Sequence, residues 1–530
     1  MTPILLASLL SALGGLVQDP DGPLDGTPPP PEEDLVVIEL GQAIQDRVET
    51  APSGTRLLLY LVDEQVATSA EPADGPMPFL VQPIASWDLK GQAVRLMPGE
   101  AELRVGRPDH AHPVPPSACS GRFRAQVLID FPETGPGPGA PGDLVGPVRT
   151  VELDPERKDI LLLELDRART GTPPLTGDRN LVNIVRTSER LPAVRGDAGT
   201  QSAWVVLPRG YHDLDHERRF WPTIYLIPDS EPAERMAGEL AQLIGRREVR
   251  KLIPQAIWVV LDPIGPFGHH YFIDSPVNGQ RRRALVDDLI PWLDVRFRTI
   301  PEPRARMVFG EGAGARAALG LLAEEPDTFG KAWAISPDVL GFEHLGTLDL
   351  YRMQDAFLND DGRPRPAVRT PLGSERDRIH ATVRDEVLVT NTLSNDGHSG
   401  GRWDALRATF GQPRPESPFP PWPFDLETGR IDPLVAADWS VKDLLQGVKT
   451  DPERADRLRK HARILGGARD EWYRDEGILA LAEVLGVDPM LPESPIHLKP
   501  DATSATTSSL ARMGAWEEII DYFVSEGLQD

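Results

Sequence analysis

The sequence predicts an α/β fold with a doubly wound, mostly parallel sheet, preceded by an N-terminal all-β domain that is sandwich-like. From residue 34 to about residue 168, short β-rich runs follow one another with almost no helical periodicity, and Pro and Gly are common between them. Regularly spaced strands without helices are typical of β-sandwiches. From residue 175 to residue 530, near-continuous apolar runs alternate with amphipathic helical patterns, which is typical of parallel strands covered by helices on both faces.

The first 33 residues differ in composition from the rest of the chain. Residues 4–17 form an apolar run that is too short to span a bilayer as a stable helix, so residues 1–18 are predicted to be a secretory signal peptide. Residues 19–33 contain four consecutive prolines, Pro28–Pro31, and are expected to form a stiff linker. We therefore expect a secreted or periplasmic protein with no membrane span beyond the signal sequence.

Periodicity and turn residues place the individual elements of the two domains. The strands expected in the β domain are Leu35–Leu40, Arg56–Val62, Arg122–Phe131, Val148–Leu153 and Ile160–Leu165. The strands expected in the α/β domain are Ala203–Leu207, Thr223–Pro228, Ala256–Leu261, Arg306–Gly310, Trp333–Ser336, Ala462–Gly466 and Pro495–Leu498. The helices expected between them are Glu234–Glu248, Ala284–Phe297, Ala313–Glu325, Gly477–Leu485 and Leu510–Glu526. Residues 339–448 break this alternation because they are rich in Pro, Asp and Arg, and we expect an insertion over the strand ends.

Charge and cysteine content restrict the partners. The formal net charge is −25 and the pI is about 4.9, which argues against a nucleic acid or an anionic membrane surface. Cys119 is the only cysteine, which excludes an intrachain disulfide and a four-cysteine zinc site. We expect neither a metal nor a cofactor, and the expected partner is a small-molecule or protein ligand.

The sharpest local motif is a glycine-rich turn between a strand and a helix. Gly310-Glu311-Gly312-Ala313-Gly314 follows the apolar run Met307–Phe309, and a helical pattern begins at once. In α/β-hydrolases the corresponding motif is Gly-x-Ser-x-Gly, in which the flanking glycines allow strand and helix to approach closely. Here the central residue, Gly312, carries no oxygen that could attack an acyl carbon.

The surrounding segments resemble the putative-esterase branch of the α/β-hydrolase superfamily, the relatives of enterochelin esterase and S-formylglutathione hydrolase. The segments that carry the resemblance occur in the family's order and are Trp204–Tyr211, Thr223–Pro228, Arg283–Pro291, Pro326–Gly330 and Ser336–Pro337. The resemblance implies an α/β-hydrolase fold and, in a complete site, ester hydrolysis by a Ser-His-acid triad.

Carried over residue by residue, the resemblance implies an incomplete triad. The nucleophile position falls on Gly312, and the loop Asp501–Ser508, after the last predicted strand, contains no histidine. Asp470 occupies the acid position, in a Gly-x-x-Asp turn. The oxyanion loop reads Pro228-Asp229-Ser230-Glu231-Pro232, where acidic side chains disfavour a developing negative charge. We therefore expect an esterase homologue without catalytic activity that binds a ligand or a protein.

Two other functions fit parts of the pattern. An active ester hydrolase would use a displaced group such as His398 or Asp229. A dinucleotide-binding protein is a remote alternative, because Gly310-x-Gly312-x-x-Ala315 also matches the Rossmann fingerprint and Asp338 follows where a ribose-binding acid would lie.

Several polar residues outside the triad positions are candidates for binding. Asp229, His269, His270, Asp274 and His398 are the residues that we expect to contact a ligand. The adjacent histidines do not favour a metal site, because neighbouring residues of an extended segment point to opposite faces. The run Arg281–Arg283 is expected to be a solvated start of a helix.

Overall fold

The computed structural model describes residues 35–63, 84–97, 101–135, 137–157, 160–170, 178–194, 197–246, 251–372, 376–394 and 396–529. The predicted signal peptide and linker, residues 1–33, lie outside these ranges. In the described part of the chain no helix is both long and apolar enough to cross a membrane.

An eight-stranded sheet forms the centre of the C-terminal part. Its strands, in chain order, are β1 Leu181–Thr187, β2 Thr200–Val206, β3 Thr223–Ile227, β4 Ile257–Leu261, β5 Arg306–Glu311, β6 Lys331–Ile335, β7 Ala462–Gly467 and β8 Ile496–Lys499. Their order in the sheet is β1-β2-β4-β3-β5-β6-β7-β8. The pairs formed by β1 with β2 and by β2 with β4 are antiparallel, and every other pair is parallel. The prediction of an α/β fold with a mostly parallel sheet is confirmed.

Helices cover both faces of this sheet, which explains why its central strands are apolar at every position. Alternate residues of a strand point to opposite faces, so Tyr225 joins one buried cluster and its neighbour Leu226 joins another. The covering helices are Ala233–Gly245, Arg281–Arg283 continued by a π-helical turn Ala284–Leu289 and by Ile290–Arg296, Ala313–Glu324, Pro452–His461, Arg474–Leu485 and Ser504–Ser525.

The edge strand β1 is absent from the predicted strands. It lies at the end of the sheet, and Ile184 is its one fully buried residue. Its sequence is apolar at four of seven positions, but apolar and polar residues do not alternate strictly, so the period-2 pattern of a half-buried strand is incomplete.

The chain between β6 and β7, which includes residues 339–448, forms a packed unit beside the sheet, and Leu340 and Leu444 at its two ends belong to the buried cluster of the sheet itself. It contains a hairpin, Pro366–Leu372 with Arg376–Thr382, and the helices Val383–Leu393, Arg402–Phe410, Pro433–Ser440 and Leu444–Thr450. Its aromatic cluster includes Phe342, Trp403, Phe410 and Trp439, together with Ala313 from the start of the helix after β5. The unit therefore packs directly over the C-terminal end of β5.

The N-terminal part contains two sheets around a shared apolar cluster. The first has the order Leu161–Leu165, Val36–Leu40, Glu102–Val105, Val94–Met97. The second has the order Arg167–Ala168, Leu144–Val145, Gly121–Asp130, Arg56–Asp63, Ile84–Asp88, His110–His112, and Arg149–Leu153 also pairs with Gly121–Asp130. A short helix, Gln45–Glu49, and the buried Cys119 complete the region.

The N-terminal sheets contact the unit formed by residues 339–448. The Ser86 hydroxyl donates to the Thr392 carbonyl at 2.6 Å, and the His112 ring lies 3.2 Å from an Asp385 carboxylate oxygen. Leu58 and Leu128 pack with Val389 in one apolar cluster. The second N-terminal sheet is thereby joined to the helix Val383–Leu393.

Candidate functional site at a glycine elbow

The turn between β5 and the helix Ala313–Glu324 has the geometry of a nucleophile elbow. Gly312 has φ +54° and ψ −119°, a region that L-residues with a side chain occupy only under strain. A Cβ atom on Gly310 would lie 2.1 Å from the Gly314 carbonyl oxygen, and one on Gly314 would lie 2.1 Å from that of Ile227. The two flanking glycines are thus required by the close approach of strand, turn and helix.

The Asp229 carboxylate fills the space in which a nucleophile side chain would stand. A Cβ atom on Gly312 would lie 2.3 Å from Asp229 Cγ, which is shorter than any allowed contact. Asp229 Oδ1 accepts a hydrogen bond of 2.8 Å from the Ala313 backbone N–H. That N–H belongs to the residue after the nucleophile position, which in α/β-hydrolases contributes to the oxyanion hole. One internal carboxylate therefore occupies both functional positions of the elbow.

Asp229 is the first member of a chain of alternating charges. Arg474 Nη2 lies 3.4 Å from Asp229 Oδ2, and Arg474 Nε lies 3.9 Å from Asp338 Oδ1. Arg402 donates to both Asp338 oxygens, from Nη2 at 3.0 Å and from Nε at 3.2 Å. Burial opposes ionisation of Asp338, but Arg402 and Arg474 outweigh it and hold the pKa of Asp338 below its ordinary value. The carboxylates of Asp229 and Asp338 also raise the pKa of Arg474 against the effect of its burial.

Asp470, the predicted acid position, faces the backbone of its own turn. Its Oδ1 accepts from the Trp472 N–H at 2.8 Å and from the Arg474 N–H at 3.3 Å, so it caps the turn before the helix Arg474–Leu485. Its Oδ2 is buried without a hydrogen-bond partner among the described residues. Burial raises the pKa of Asp470. Its side chain orients no histidine; the group held nearby is Arg474.

His269 and His270 are both buried and neutral. His269 Nδ1 accepts from the Tyr271 N–H at 3.0 Å, so Nε2 carries the proton and donates to the Pro228 carbonyl at 3.2 Å. Burial lowers the pKa of His269 to about 4. Burial and the nearby Arg281 also lower the pKa of His270, whose Nδ1 accepts from the Phe272 N–H at 3.2 Å. With both its nitrogens engaged, His269 supports the Asp229 loop and is not free to act as a base.

The other predicted binding residues lie in different places. Asp274 accepts from the Arg282 N–H at 2.8 Å and pairs with the Arg282 side chain at 3.7 Å. His398 lies 3.2 Å from Asp396 Oδ1, and its ring packs on Phe267 with 4.6 Å between the centroids. His398 lines a cleft that does not include Gly312. Of the predicted residues, Gly312 and Asp229 meet in one cleft, and the remainder do not line it.

The expectation that Arg281 faces solvent is wrong. Its side chain is 5% exposed and donates to the carbonyls of Thr200 and Asn278, each at 3.0 Å. It also lies 3.6 Å from Asp197. A run of three arginines suggested a solvated face, but the helix begins beside the first residue of β2, Thr200, and its first arginine points into the protein.

Ser336 and Arg474 are site residues that the sequence did not reveal. Ser336 follows β6 with φ +46°, is 3% exposed, and its hydroxyl has no hydrogen-bond partner in the described part of the chain. The elbow cleft has a volume of about 230 Å³, and its polar wall consists of Asp229, Ser230, Glu231, Glu311, Ser336, Arg474 and Ser504. The described residues contain no group of three or more His, Cys, Asp or Glu that could hold a metal ion.

The sheet and the elbow define the class of protein. A strand, a sharp turn whose central residue has a positive φ and a helix, at the top of a mostly parallel sheet, is the architecture of α/β-hydrolases. Residues 204–394 match the family model described as "Putative esterase". The match and the elbow support the esterase branch of the α/β-hydrolase superfamily for residues 204–394, the branch that the sequence motifs predicted.

Several solved structures are similar at low identity. A ferulic acid esterase is 14% identical, with a TM-score of 0.40 over 65% of this chain and 97% of its own. S-formylglutathione hydrolase (FrmB) from Staphylococcus aureus is 11% identical, with a TM-score of 0.34 over 64% of this chain and 98% of its own. The enterobactin esterase FES from Shigella flexneri is 12% identical, with a TM-score of 0.34 over 89% of this chain and 88% of its own. Comparison with curated proteins gives no matching sequence.

Proposed function

We propose that this protein is an exported member of the esterase branch that does not hydrolyse esters and instead binds a ligand or a protein partner. The observation that carries the proposal is the Asp229 carboxylate, which stands where a nucleophile would be and accepts the Ala313 N–H at 2.8 Å. The export is proposed on the predicted signal peptide, residues 1–18, with its apolar run at residues 4–17, and the location is secreted or periplasmic.

The chemistry of acyl transfer supports an inactive site. The reaction needs a nucleophile, a base that takes its proton, and N–H donors aimed at the oxygen that becomes negative. Gly312 supplies no nucleophile, and the Asp229 carboxylate puts a negative charge where the transition state would develop one. His269 is the buried histidine beside this loop, and both its nitrogens are engaged. Losses within one catalytic unit are not additive, so the site tolerates several of them once the first has occurred.

The proposed binding surface is the elbow cleft, with residues 34–168 as a second, sandwich-like binding domain and residues 339–448 as a cap. Arg474 is the cation of the elbow cleft, and Ser336 offers a hydroxyl that no described group engages. These two groups suit an ester or the acid derived from it. The Asp229 carboxylate also opposes a dinucleotide, because a phosphate at the start of the helix Ala313–Glu324 would meet a like charge.

An activity assay tests the proposal directly. The purified protein is incubated with p-nitrophenyl acetate, with p-nitrophenyl butyrate and with a fluorophosphonate probe, beside an active serine esterase. The expected result is hydrolysis at the rate of buffer alone and no labelling. Calorimetry with the same esters and their acids should give saturable binding that weakens in Arg474→Gln. Turnover above the buffer rate would contradict the proposal.

An active hydrolase with a displaced nucleophile is the second candidate. The observation that favours it is Ser336, whose backbone is held at φ +46° and whose buried hydroxyl lines the same cleft as Asp229. Strained backbone at a cleft is a feature of functional sites. If turnover is seen, Ser336→Ala and Asp229→Asn decide between the groups. Loss of turnover in either variant would establish that the replaced group takes part in hydrolysis. Full turnover in both variants would mean that a contaminating enzyme hydrolyses the ester.

A further inference from the structure

A second cleft of about 550 Å³ lies between the helix Ala313–Glu324, the loop Tyr271–Asp274 and the segment Ser440–Thr450. It shares no lining residue with the elbow cleft. Its volume lies within the range of about 300–1,000 Å³ that is typical of small-molecule sites. The wall is mixed, with apolar side chains such as Phe272 and Leu321 beside several charged groups.

Most charged groups of this cleft are already neutralised by neighbours. Arg282 pairs with Asp274 and Glu324, and Arg454 pairs with Glu324 and Asp451. The next wall residue, Asp443, accepts three hydrogen bonds, from the Tyr351 hydroxyl at 2.7 Å, the Phe342 N–H at 2.8 Å and the Gln446 N–H at 2.9 Å.

Arg316 and Lys442 are the exceptions, because neither forms an ion pair with a carboxylate of the described residues. Arg316 is 3% exposed and donates only to carbonyls, to Val339 from Nε at 3.2 Å and to Lys442 from Nη2 at 3.1 Å. Its remaining Nη1 lies over Gly320, where a Cβ atom would be only 2.7 Å away. Lys442 donates one of its three protons, to the Thr409 carbonyl at 2.8 Å. Two cations with unused donors therefore line one cavity.

The pKa values of both cations are lowered by burial. Burial lowers the pKa of Arg316, although Asp443 and Glu324 act in the opposite direction at longer range. Burial also lowers the pKa of Lys442 to about 8, and Asp274 offsets only part of this effect. A buried cation without a partner is unfavourable, and an anion bound between the two would remove that cost.

The wall of the cleft also contains strained backbone. Tyr271 and Phe272 have φ +53° and +51°, so two consecutive residues with large side chains adopt the left-handed conformation. Each such residue costs about 1–3 kcal/mol and persists where the surroundings enforce it, often at ligand sites. In this conformation both aromatic side chains point into the protein and are buried.

We propose that this cleft binds a small organic anion, with a carboxylate or phosphate group held between Arg316 and Lys442 and an apolar body on the Phe272 and Leu321 side. A guanidinium and an ammonium together match the oxygens of either group.

Calorimetry at constant ionic strength tests the proposal. The probes are sodium benzoate, sodium acetate, inorganic phosphate and phenyl phosphate, with chloride as the competing salt. Benzoate or phenyl phosphate should bind with 1:1 stoichiometry and more tightly than acetate or inorganic phosphate, because only the former pair has an apolar body. The better of the two aromatic probes identifies the anionic group as carboxylate or phosphate.

Matched variants locate the binding. Lys442→Gln should weaken the affinity at least about tenfold, since a charge-assisted hydrogen bond is lost. Lys449→Gln is the control, because Lys449 lies on the helix Leu444–Thr450 of the same wall but pairs with Glu343 at 2.8 Å and does not itself line the cleft. Arg316→Lys keeps the charge but loses the forked geometry and should weaken binding without unfolding the chain. Equal affinity of wild type and Lys442→Gln, or no saturable heat with any probe, would overturn the proposal.

Discussion

Asp229 stands in the place of a side chain at Gly312, and the two residues are complementary in shape. Gly312 leaves a space at the elbow, and the Asp229 carboxylate fills it, within 2.5 Å of the position that a Cβ atom would take. The carboxylate then accepts the Ala313 N–H that a hydrolase would present to its substrate. The glycine and the aspartate therefore depend on each other, and a side chain cannot return at 312 unless Asp229 moves away.

Replacing Gly312 tests this dependence. Gly312→Ser should destabilise the protein by at least about 1–3 kcal/mol, because the backbone at φ +54° is unfavourable for a residue with a side chain and Asp229 must give up its hydrogen bond. The same variant should remain inactive towards p-nitrophenyl esters, since no described histidine is positioned to take the serine proton. Urea unfolding and the ester assay measure the two effects.

Gly245→Ala is the matched control for Gly312→Ser. Gly245 ends the helix Ala233–Gly245, and a Cβ atom there would meet nothing within 4 Å. The free energy of unfolding should change by no more than about 1 kcal/mol, in the stabilising direction. Recovery of ester hydrolysis in Gly312→Ser would mean that a working base lies near the elbow.

Asp338 should be among the most sensitive positions of the site. Its carboxylate is 4% exposed and is shared by Arg402 at 3.0 Å and Arg474 at 3.9 Å. Asp338→Ala would leave two partly buried guanidinium groups close together without this anion, and should cost about 3 kcal/mol of folding free energy. Urea unfolding of the variant and the wild type measures this loss. Asp361→Ala removes an exposed partner of Arg363 and should change the stability by less than about 1 kcal/mol. A similarly small effect of Asp338→Ala would mean that the network contributes little.

Local sequence predicted the elbow itself but not the groups around it. Gly310, Gly312 and Gly314 lie within five consecutive residues, so their spacing alone indicates the strand, turn and helix. The sequence also indicated that Asp229 lies in the oxyanion loop. It did not indicate that the carboxylate reaches Ala313, because a side-chain rotamer across 84 residues of chain leaves no periodic signal.

The same reason explains why Arg402 and Arg474 were not predicted. Arg402 is separated from Asp338 by 64 residues and belongs to the unit of residues 339–448, whose folding is not set by the alternation of strands and helices. Arg474 follows the acid position by four residues, but only the tertiary structure turns its side chain towards Asp229. Long-range ion pairs depend on packing, whereas strands and helices depend on periodicity, so the fold is the more predictable of the two.

His269 should make the stability depend on pH. Its pKa is lowered to about 4 by burial, whereas in the unfolded chain it is about 6.5. The unfolded chain therefore binds more protons between these values, so this contribution is fully present above about pH 6.5 and is lost as the pH falls towards 4. It amounts to about 3 kcal/mol. In His269→Gln the loss of stability over this pH range should be smaller by a similar amount, measured by urea unfolding at several pH values. His212→Gln changes an exposed histidine and should follow the wild type; parallel curves for His269→Gln and wild type would refute the assignment.

Lys442 should make anion binding depend on pH in the alkaline range. The titratable neighbours that line the same cleft are Tyr271, Asp274, Arg282, Arg316, Glu324, Asp443, Asp451 and Arg454. Burial raises the pKa of Tyr271, and carboxylates and guanidinium groups do not change charge between pH 7 and 9. The pKa of Lys442 is lowered to about 8 by burial, so its ammonium is lost as the pH rises through that value.

Benzoate is the suitable probe for this effect because its own charge is constant over the range. Its affinity should fall about tenfold from pH 7 to pH 9, in proportion to the charged fraction of Lys442. In Lys442→Gln the affinity should be weak at both pH values, and in Lys449→Gln it should fall as in the wild type. A benzoate affinity that is independent of pH in the wild type would show that the ammonium of Lys442 does not take part in binding, because no other group in the cleft can compensate for its loss.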